Sequence, residues 1–221
     1  MPLKAYSQSL VGSRSQNQDA FLVLPDKGLF AVADGVGGGL KGEVASRMAV
    51  EGLKLYAPSR GPLTPTIQRV HEDILQEALQ TLGDAHMGTT LTAVRILGNE
   101  VTLAHVGDSR CYHYTQGLLR LMTEDHEWYD ESLGGTVLVS YLGLSPEVQP
   151  LKVQEEVFRL QPGEGILLCS DGLYRQLSEP QIVQLIQQNW EQPETLVARL
   201  SEEASLYERS DNITVVFVVM E

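Results

Sequence analysis

The sequence predicts an α+β fold in which antiparallel sheets are covered by pairs of helices. Strand-like runs, alternating or rich in β-branched residues, follow one another closely, as they do in hairpins. Segments with helical spacing instead come in two pairs, so strands and helices do not alternate one by one as a parallel sheet requires. The length of 221 residues, 43% of them apolar, suits a single domain with a sizeable core.

The elements follow from these patterns in chain order. Nine strands are expected, near residues 4–11, 20–24, 29–33, 89–97, 100–106, 110–114, 153–160, 165–169 and 213–219. The first helix pair covers roughly 42–57 and 66–82, and the second covers roughly 180–189 and 193–207. Prolines between 58 and 65 mark the loop inside the first pair. Residues 123–150 show little periodicity and predict an irregular surface segment.

Composition excludes several functional classes. Lys and Arg number 16 against 29 Asp and Glu, and this net charge of −13 makes nucleic acids and anionic membranes poor partners. Two cysteines are too few for a disulfide scaffold or a cysteine zinc site. Neither an apolar signal segment nor a run of about 18 apolar residues occurs, so we expect a cytoplasmic protein. No long apolar surface helix stands out, which favours a monomer.

Aspartates stand beside strand-like runs at five places in the chain. They are Asp19, Asp34, Asp108, Asp171 and Asp211. Turns favour Asp, so each position alone is a weak signal. Carboxylates at the ends of separate strands can converge on one point, where they repel one another unless a cation joins them. An oxygen-only ligand set of this kind suits Mg²⁺ or Mn²⁺.

The strongest local signal is the glycine-rich segment that follows a buried strand ending at Asp34. Glycines let the backbone approach a small ion or a phosphate closely. Gly37, Gly39 and Gly42 formally satisfy the dinucleotide-binding fingerprint. No βαβ unit follows them, and we therefore reject this interpretation.

A second alternative is a cysteine-based phosphatase. Cys169 and Arg175 have the C-x₅-R spacing in which a thiolate attacks phosphorus and an arginine holds the oxygens. Asp171 would lie inside that cradle and repel a phosphate dianion. The sequence therefore favours Cys169 as a small apolar strand residue.

Six motifs, taken in order, resemble the metal-dependent protein phosphatase family of the PPM or PP2C type, in its compact bacterial form. The motifs are Arg14-Ser-Gln-Asn17-Gln18-Asp19, Val32-Ala-Asp34-Gly-Val-Gly-Gly, Met87-Gly88-Thr-Thr90, Val106-Gly107-Asp108-Ser109-Arg110, Cys169-Ser170-Asp171-Gly172-Leu and Ser210-Asp211-Asn212-Ile-Thr-Val. The resemblance implies a single domain over 1–221 with a four-layer αββα sandwich. It also implies a Mn²⁺- or Mg²⁺-dependent phosphatase acting on phosphoserine and phosphothreonine in proteins, with a Ser/Thr kinase or its targets as partners.

The resemblance further assigns roles to the residues at matching positions. Asp34 would bridge two metal ions, and the Gly35 carbonyl would bind one of them. Asp171 and Asp211 would hold the second ion, and Asp19 would support the first, partly through its waters. A hydroxide that bridges the two ions would then attack phosphorus directly, without a phosphoenzyme.

The resemblance also implies that Arg14 binds phosphate and that Asp108 shares a third, weaker ion with Asp171.

The sequence departs from the family pattern at two places. Val36 stands where some eukaryotic members carry a histidine proton donor. The flap that relatives carry near the active site is shortened here, around residues 124–142. These departures keep open a catalytically weak or inactive PP2C-fold regulatory or binding protein.

Overall fold

A computed structural model describes residues 2–36, 41–82, 87–132 and 134–221. The strands are β1 Leu3–Leu10, β2 Asp19–Leu24, β3 Leu29–Asp34, β4 Leu91–Leu97, β5 Glu100–Val106, β6 Arg110–Thr115, β7 Leu118–Leu121, β8 Glu127–Asp130, β9 Gly135–Leu138, β10 Gln154–Arg159, β11 Gly165–Cys169 and β12 Ile213–Met220. The helices are α1 Gly42–Tyr56, α2 Thr64–Leu82, α3 Asp171–Tyr174, α4 Glu179–Asn189 and α5 Pro193–Ser205. The expected strands and helices are all present, with ends within two residues of prediction.

Two five-stranded antiparallel sheets form the centre of the molecule. The first sheet has the order β1-β12-β11-β6-β7, and the second has the order β10-β5-β4-β3-β2. Helices α1 and α2 pack on the outer face of the second sheet, and α4 and α5 pack on that of the first. The expected four-layer αββα sandwich is therefore confirmed.

The alternation of side chains along β3 shows how the layers are held. Ala31 and Ala33 pack beneath α1 and α2, where small side chains let the helices approach closely. Phe30 and Val32 point the other way and pack between the two sheets against residues such as Val216. Since both faces are buried, the strand is apolar throughout instead of alternating with polar residues.

The expectation of an irregular segment at 123–150 is wrong, because this region contains the hairpin of β8 and β9. Trp128 pairs with Val137 in it, and the side chains of Trp128 and Tyr129 are 60% and 64% exposed. Each residue of β8 and β9 is exposed or half-buried, so the hairpin carries no apolar alternation and its sequence gives no strand signal. Strand β7 and the single turn of α3 were also not predicted, because elements this short show no periodic pattern. None of the helices in the described ranges is both long and apolar enough to cross a membrane.

Candidate active site

A cavity of about 260 Å³ lies where strands of both sheets end. It is lined by Arg14, Ser15, Gln16, Gln18, Asp34, Gly35, Val36, Thr90, Asp108, Leu138, Asp171, Asp211 and Asn212. Six of the seven residues selected from the sequence therefore lie around one space. The seventh, Asp19, lies beside Asp34 in the sheet, opposite it in the β2–β3 register.

Asp19 and Asp34 form a half-buried carboxylate pair at the end of the second sheet. Oδ2 of Asp19 accepts a hydrogen bond of 2.8 Å from the Ser170 hydroxyl. Its Oδ1 is buried and has no hydrogen-bond partner within the described residues. Burial raises the pKa of Asp19 to about 6. Burial, together with Asp19 and Asp171, raises the pKa of Asp34 well above its ordinary value.

Threonines from the Met-Gly-Thr-Thr motif hold the backbone of Asp34 in place. The Asp34 amide donates to Oγ1 of Thr90 at 2.9 Å, and the Thr89 hydroxyl donates to the Asp34 carbonyl at 2.8 Å. Thr90 in turn shares a 2.7 Å hydrogen bond with the Ser109 hydroxyl beside Asp108. The motif therefore positions two of the acidic residues through one buried network.

Gly35 is a glycine because three backbone segments meet there. A Cβ at this position would lie 2.5 Å from the carbonyl of Gly42 and 2.9 Å from the carbonyl of Gln18. The Gly35 amide donates to the same Gln18 carbonyl at 3.1 Å. This packing fixes the backbone directly after Asp34. Gly37 and Gly39, part of the rejected dinucleotide fingerprint, lie outside the described residues.

Asp211 is held by Arg14, the residue expected to bind phosphate. Nε and Nη2 of Arg14 donate to the two carboxylate oxygens at 2.9 and 2.6 Å. The adjacent Asn212 fixes the loop that carries Arg14, because its side-chain oxygen accepts from the Gln18 amide at 2.8 Å. Its side-chain nitrogen donates to the carbonyls of Val11 and Gln16 in the same loop. Sequence reasoning gave Asn212 no role.

Arg175 and Glu127 are two further residues at the site. Sequence reasoning considered Arg175 only as the partner of Cys169 and did not select Glu127. Nε of Arg175 donates to Asp171 at 2.8 Å, and Nη2 donates to Asp108 at 3.0 Å and to Glu127 at 2.7 Å. The spacing of Asp171 and Arg175 by four residues was the available signal, since residues i and i+4 meet on a helical turn. Glu127 lies on β8, in the segment expected to be irregular.

Asp108 should make the metal-free protein less stable at high pH. Burial and the charge of Asp171 raise the pKa of Asp108 to about 7, above its ordinary value of 3.8, although Arg175 opposes the shift. The folded chain therefore holds this proton more tightly than the unfolded chain, and its stabilisation is lost as the pH rises through about 7. We expect Asp108→Asn, in chelator, to raise the free energy of unfolding more at pH 8 than at pH 5. Urea titrations at both pH values test this, and equal changes would contradict it.

The site residues fit a pair of divalent cations. Buried carboxylates with raised pKa values repel one another, and the buried Oδ1 atoms of Asp19 and Asp171 lack hydrogen-bond partners in the described ranges. Such orphaned anionic oxygens are what a hard cation satisfies. Across the described residues, no three acidic, His or Cys side chains already stand together as a ligand set. Asp211, Asp171 and Asp108 instead form ion pairs with arginines.

Cys169 does not have the properties of a nucleophile. It is fully buried in β11, and burial raises the pKa of its thiol to about 12, so the thiolate is strongly disfavoured. Its side chain packs in the apolar cluster beneath α4 and α5. Arg175 turns toward carboxylates and forms no anion cradle with it.

Comparisons with known proteins agree with this architecture and this site. The chain matches the family "Protein phosphatase 2C" over residues 8–203. It is 32% identical to the serine/threonine phosphatase stp of Listeria monocytogenes, over 93% of this chain and 90% of that protein. Its structure superposes on PppA, described as a key regulatory component of T6SS in Pseudomonas aeruginosa, with a TM-score of 0.87, 29% identity and coverage of 99% and 98%.

A second similar structure is the catalytic domain of the serine/threonine protein phosphatase PstP in complex with two manganese ions. The TM-score is 0.83 at 27% identity, with 100% of this chain and 99% of that chain covered. The match in sequence, length and fold extends over nearly the whole chain. The chain belongs to the protein phosphatase 2C family of metal-dependent serine/threonine phosphatases.

Proposed function

We propose that this chain is a metal-dependent protein phosphatase that hydrolyses phosphoserine and phosphothreonine. The observation that supports it most directly is the orphaned, buried Oδ1 of Asp171, which lines a cavity of clustered carboxylates together with Arg14. A cavity of this kind binds cations and, through them, an anionic substrate. Family membership supports the same activity.

We propose that the core site holds two Mn²⁺ or Mg²⁺ ions. Asp34 and the Gly35 carbonyl would bind at the end of β3, Asp19 would support the same ion from β2, and Asp171 with Asp211 would hold the other ion. When bound, such a pair supplies a nucleophilic hydroxide at neutral pH, because it lowers the pKa of water. The PstP structure with two manganese ions supports this count. We limit the proposal to two ions, because Arg175 already engages both Asp108 and Asp171.

Arg14 is the residue that we propose to hold the phosphate. Its Nε and Nη2 form a two-pronged contact with the oxygens of Asp211. If Arg14 released Asp211 to the ion, the same fork would be free to hold two phosphate oxygens. It is the arginine that lines the cavity among the described residues. Val36 lines the same cavity and cannot donate a proton, so protonation of the leaving serine or threonine must come from another group in the cavity.

The domain organisation, oligomeric state, location and partners of the protein can also be inferred. We infer that residues 1–221 form a single domain whose flap, around 124–142, is shortened to the β8–β9 hairpin. We also infer that the protein acts as a monomer in the cytoplasm on phosphorylated proteins, including a Ser/Thr kinase or its targets. The buried free thiols of Cys111 and Cys169 support a reducing compartment.

Mn²⁺-dependent hydrolysis tests the proposed activity. We expect turnover of p-nitrophenyl phosphate and of a phosphothreonine peptide with Mn²⁺, and loss of turnover with a chelator that is reversed by added Mn²⁺. Calorimetry on the same preparation counts the bound ions. Ion binding without any turnover of either substrate would instead support the alternative, a PP2C-fold regulatory or binding protein with little or no activity. That alternative is favoured by Val36 and by the shortened flap.

A further inference from the structure

Arg175 joins three carboxylates that come from separate parts of the chain. Its guanidinium donates to Oδ2 of Asp171, Oδ2 of Asp108 and Oε2 of Glu127, at 2.8, 3.0 and 2.7 Å. The three acidic side chains are between 9% and 20% exposed, so these charged contacts form in a largely desolvated setting. Charge-assisted hydrogen bonds of this kind are stronger than neutral ones.

The two carboxylate oxygens of Asp171 have different surroundings. Oδ2 faces Arg175, whereas Oδ1 is buried without a hydrogen-bond partner in the described part of the chain. An ion in the core site can therefore use Oδ1 while Arg175 keeps Oδ2. Glu127 helps to hold the guanidinium in place, because it shares the Nη2 atom that contacts Asp108.

A further divalent ion shared by Asp108 and Asp171 would compete with Arg175, which already holds Oδ2 of both carboxylates. Arginine stays protonated at every pH a folded protein withstands, so the guanidinium cannot yield by losing its charge. An ion placed there would also be repelled by that charge at close range. The residues present therefore do not fit a third ion.

We propose that Arg175 replaces a third metal ion, by bridging Asp108 and Asp171 with its guanidinium, so that this phosphatase binds two divalent ions and gains a third site only when Arg175 is removed. The inference rests on the proposed function for the two ions of the core site. It assigns Arg175 as a positioning residue, since it acts through the carboxylates and not on the substrate.

Counting bound Mn²⁺ in wild type and Arg175→Ala tests this. Calorimetry and electron paramagnetic resonance of free Mn²⁺ should give two ions per wild-type chain. Arg175→Ala should bind three, the added one more weakly, and Arg175→Ala combined with Asp108→Asn should return to two. Arg199→Ala is the matched control and should stay at two, because Arg199 forms a similar i,i+4 pair with Glu203 on α5.

Three bound ions in wild type, or fewer than two, would overturn the inference, as would only two in a folded Arg175→Ala. Circular dichroism establishes the folding of each variant, and Arg175→Gln provides the same count if the alanine variant does not fold. Turnover of the phosphothreonine peptide is measured separately. A wild type that binds two ions without hydrolysing the phosphopeptide would contradict the proposed function. It would still agree with the expected number of bound ions. An Arg175→Ala variant that hydrolyses the peptide normally but binds only two ions would contradict this inference and leave the proposed function intact.

Discussion

Asp34→Asn is expected to reduce Mn²⁺-dependent kcat at least about 1,000-fold, equivalent to about 4 kcal/mol of transition-state stabilisation. The charges of four other aspartates, together with burial, raise the pKa of Asp34 well above its ordinary value. The amide keeps the shape of the side chain but removes the charge that would hold both ions. Because it also removes repulsion, the metal-free variant should unfold at the same temperature as wild type or at a higher one.

Thermal unfolding with and without Mn²⁺ separates lost ion binding from lost folding. Mn²⁺ should raise the midpoint of wild type, because it binds the folded state, and should raise that of Asp34→Asn much less. Asp26→Asn is the control, since Asp26 is an exposed aspartate in the 3₁₀ turn between β2 and β3. It should match wild type in both assays. More than about a tenth of wild-type kcat in Asp34→Asn would contradict the bridging role.

Asn212→Ala is expected to have the largest effect on stability. Three hydrogen bonds of this buried side chain tie Gln18, Val11 and Gln16 to the start of β12. At about 1 kcal/mol for each bond, the free energy of unfolding should fall by about 3 kcal/mol. The melting temperature of a chain of this size should then fall by about 6–12 °C. Because the loop carries Arg14, KM for phosphopeptides should rise as well.

Asn189→Ala provides the comparison for that variant. The Asn189 side chain donates one hydrogen bond, to the Leu185 carbonyl at the end of α4, and lies outside the cavity lining. We expect a loss of less than about 1 kcal/mol and an unchanged KM. Urea denaturation and steady-state kinetics on both variants test the difference. Equal destabilisation by the two substitutions would show that the loop does not depend on Asn212.

The layered fold could be predicted because its signals are local and repetitive. Strands such as β3 and β12 are long apolar runs, and the helices carry apolar residues at regular spacing. The β8–β9 hairpin gave no such signal. Its aromatic side chains, Trp128 and Tyr129, are exposed, so no burial pattern was imposed on the sequence there.

The acidic residues of the site could be selected for a similar reason, since each one follows or precedes a strand. Their partners could not be selected. Arg175 has three carboxylates within reach only because the chain brings β8, the end of β5 and α3 together. The position of Asp19, next to the cavity lining through Asp34, likewise depends on the pairing of β2 with β3. Pairings of this kind join distant parts of the sequence, and spacing within one segment does not encode them.

The place of β12 in the first sheet sets an order for biosynthesis. All strands of the second sheet lie before residue 160, so that sheet can assemble while the ribosome is still adding residues. β1 must wait, because its sheet neighbour is β12, with Leu3 opposite Met220. Asp211 arrives immediately before that last strand. With Asp211 as a proposed metal ligand, a nascent chain is expected to stay inactive until Asp211 and β12 have been made, and a product truncated before Asp211 would carry the complete second sheet without activity.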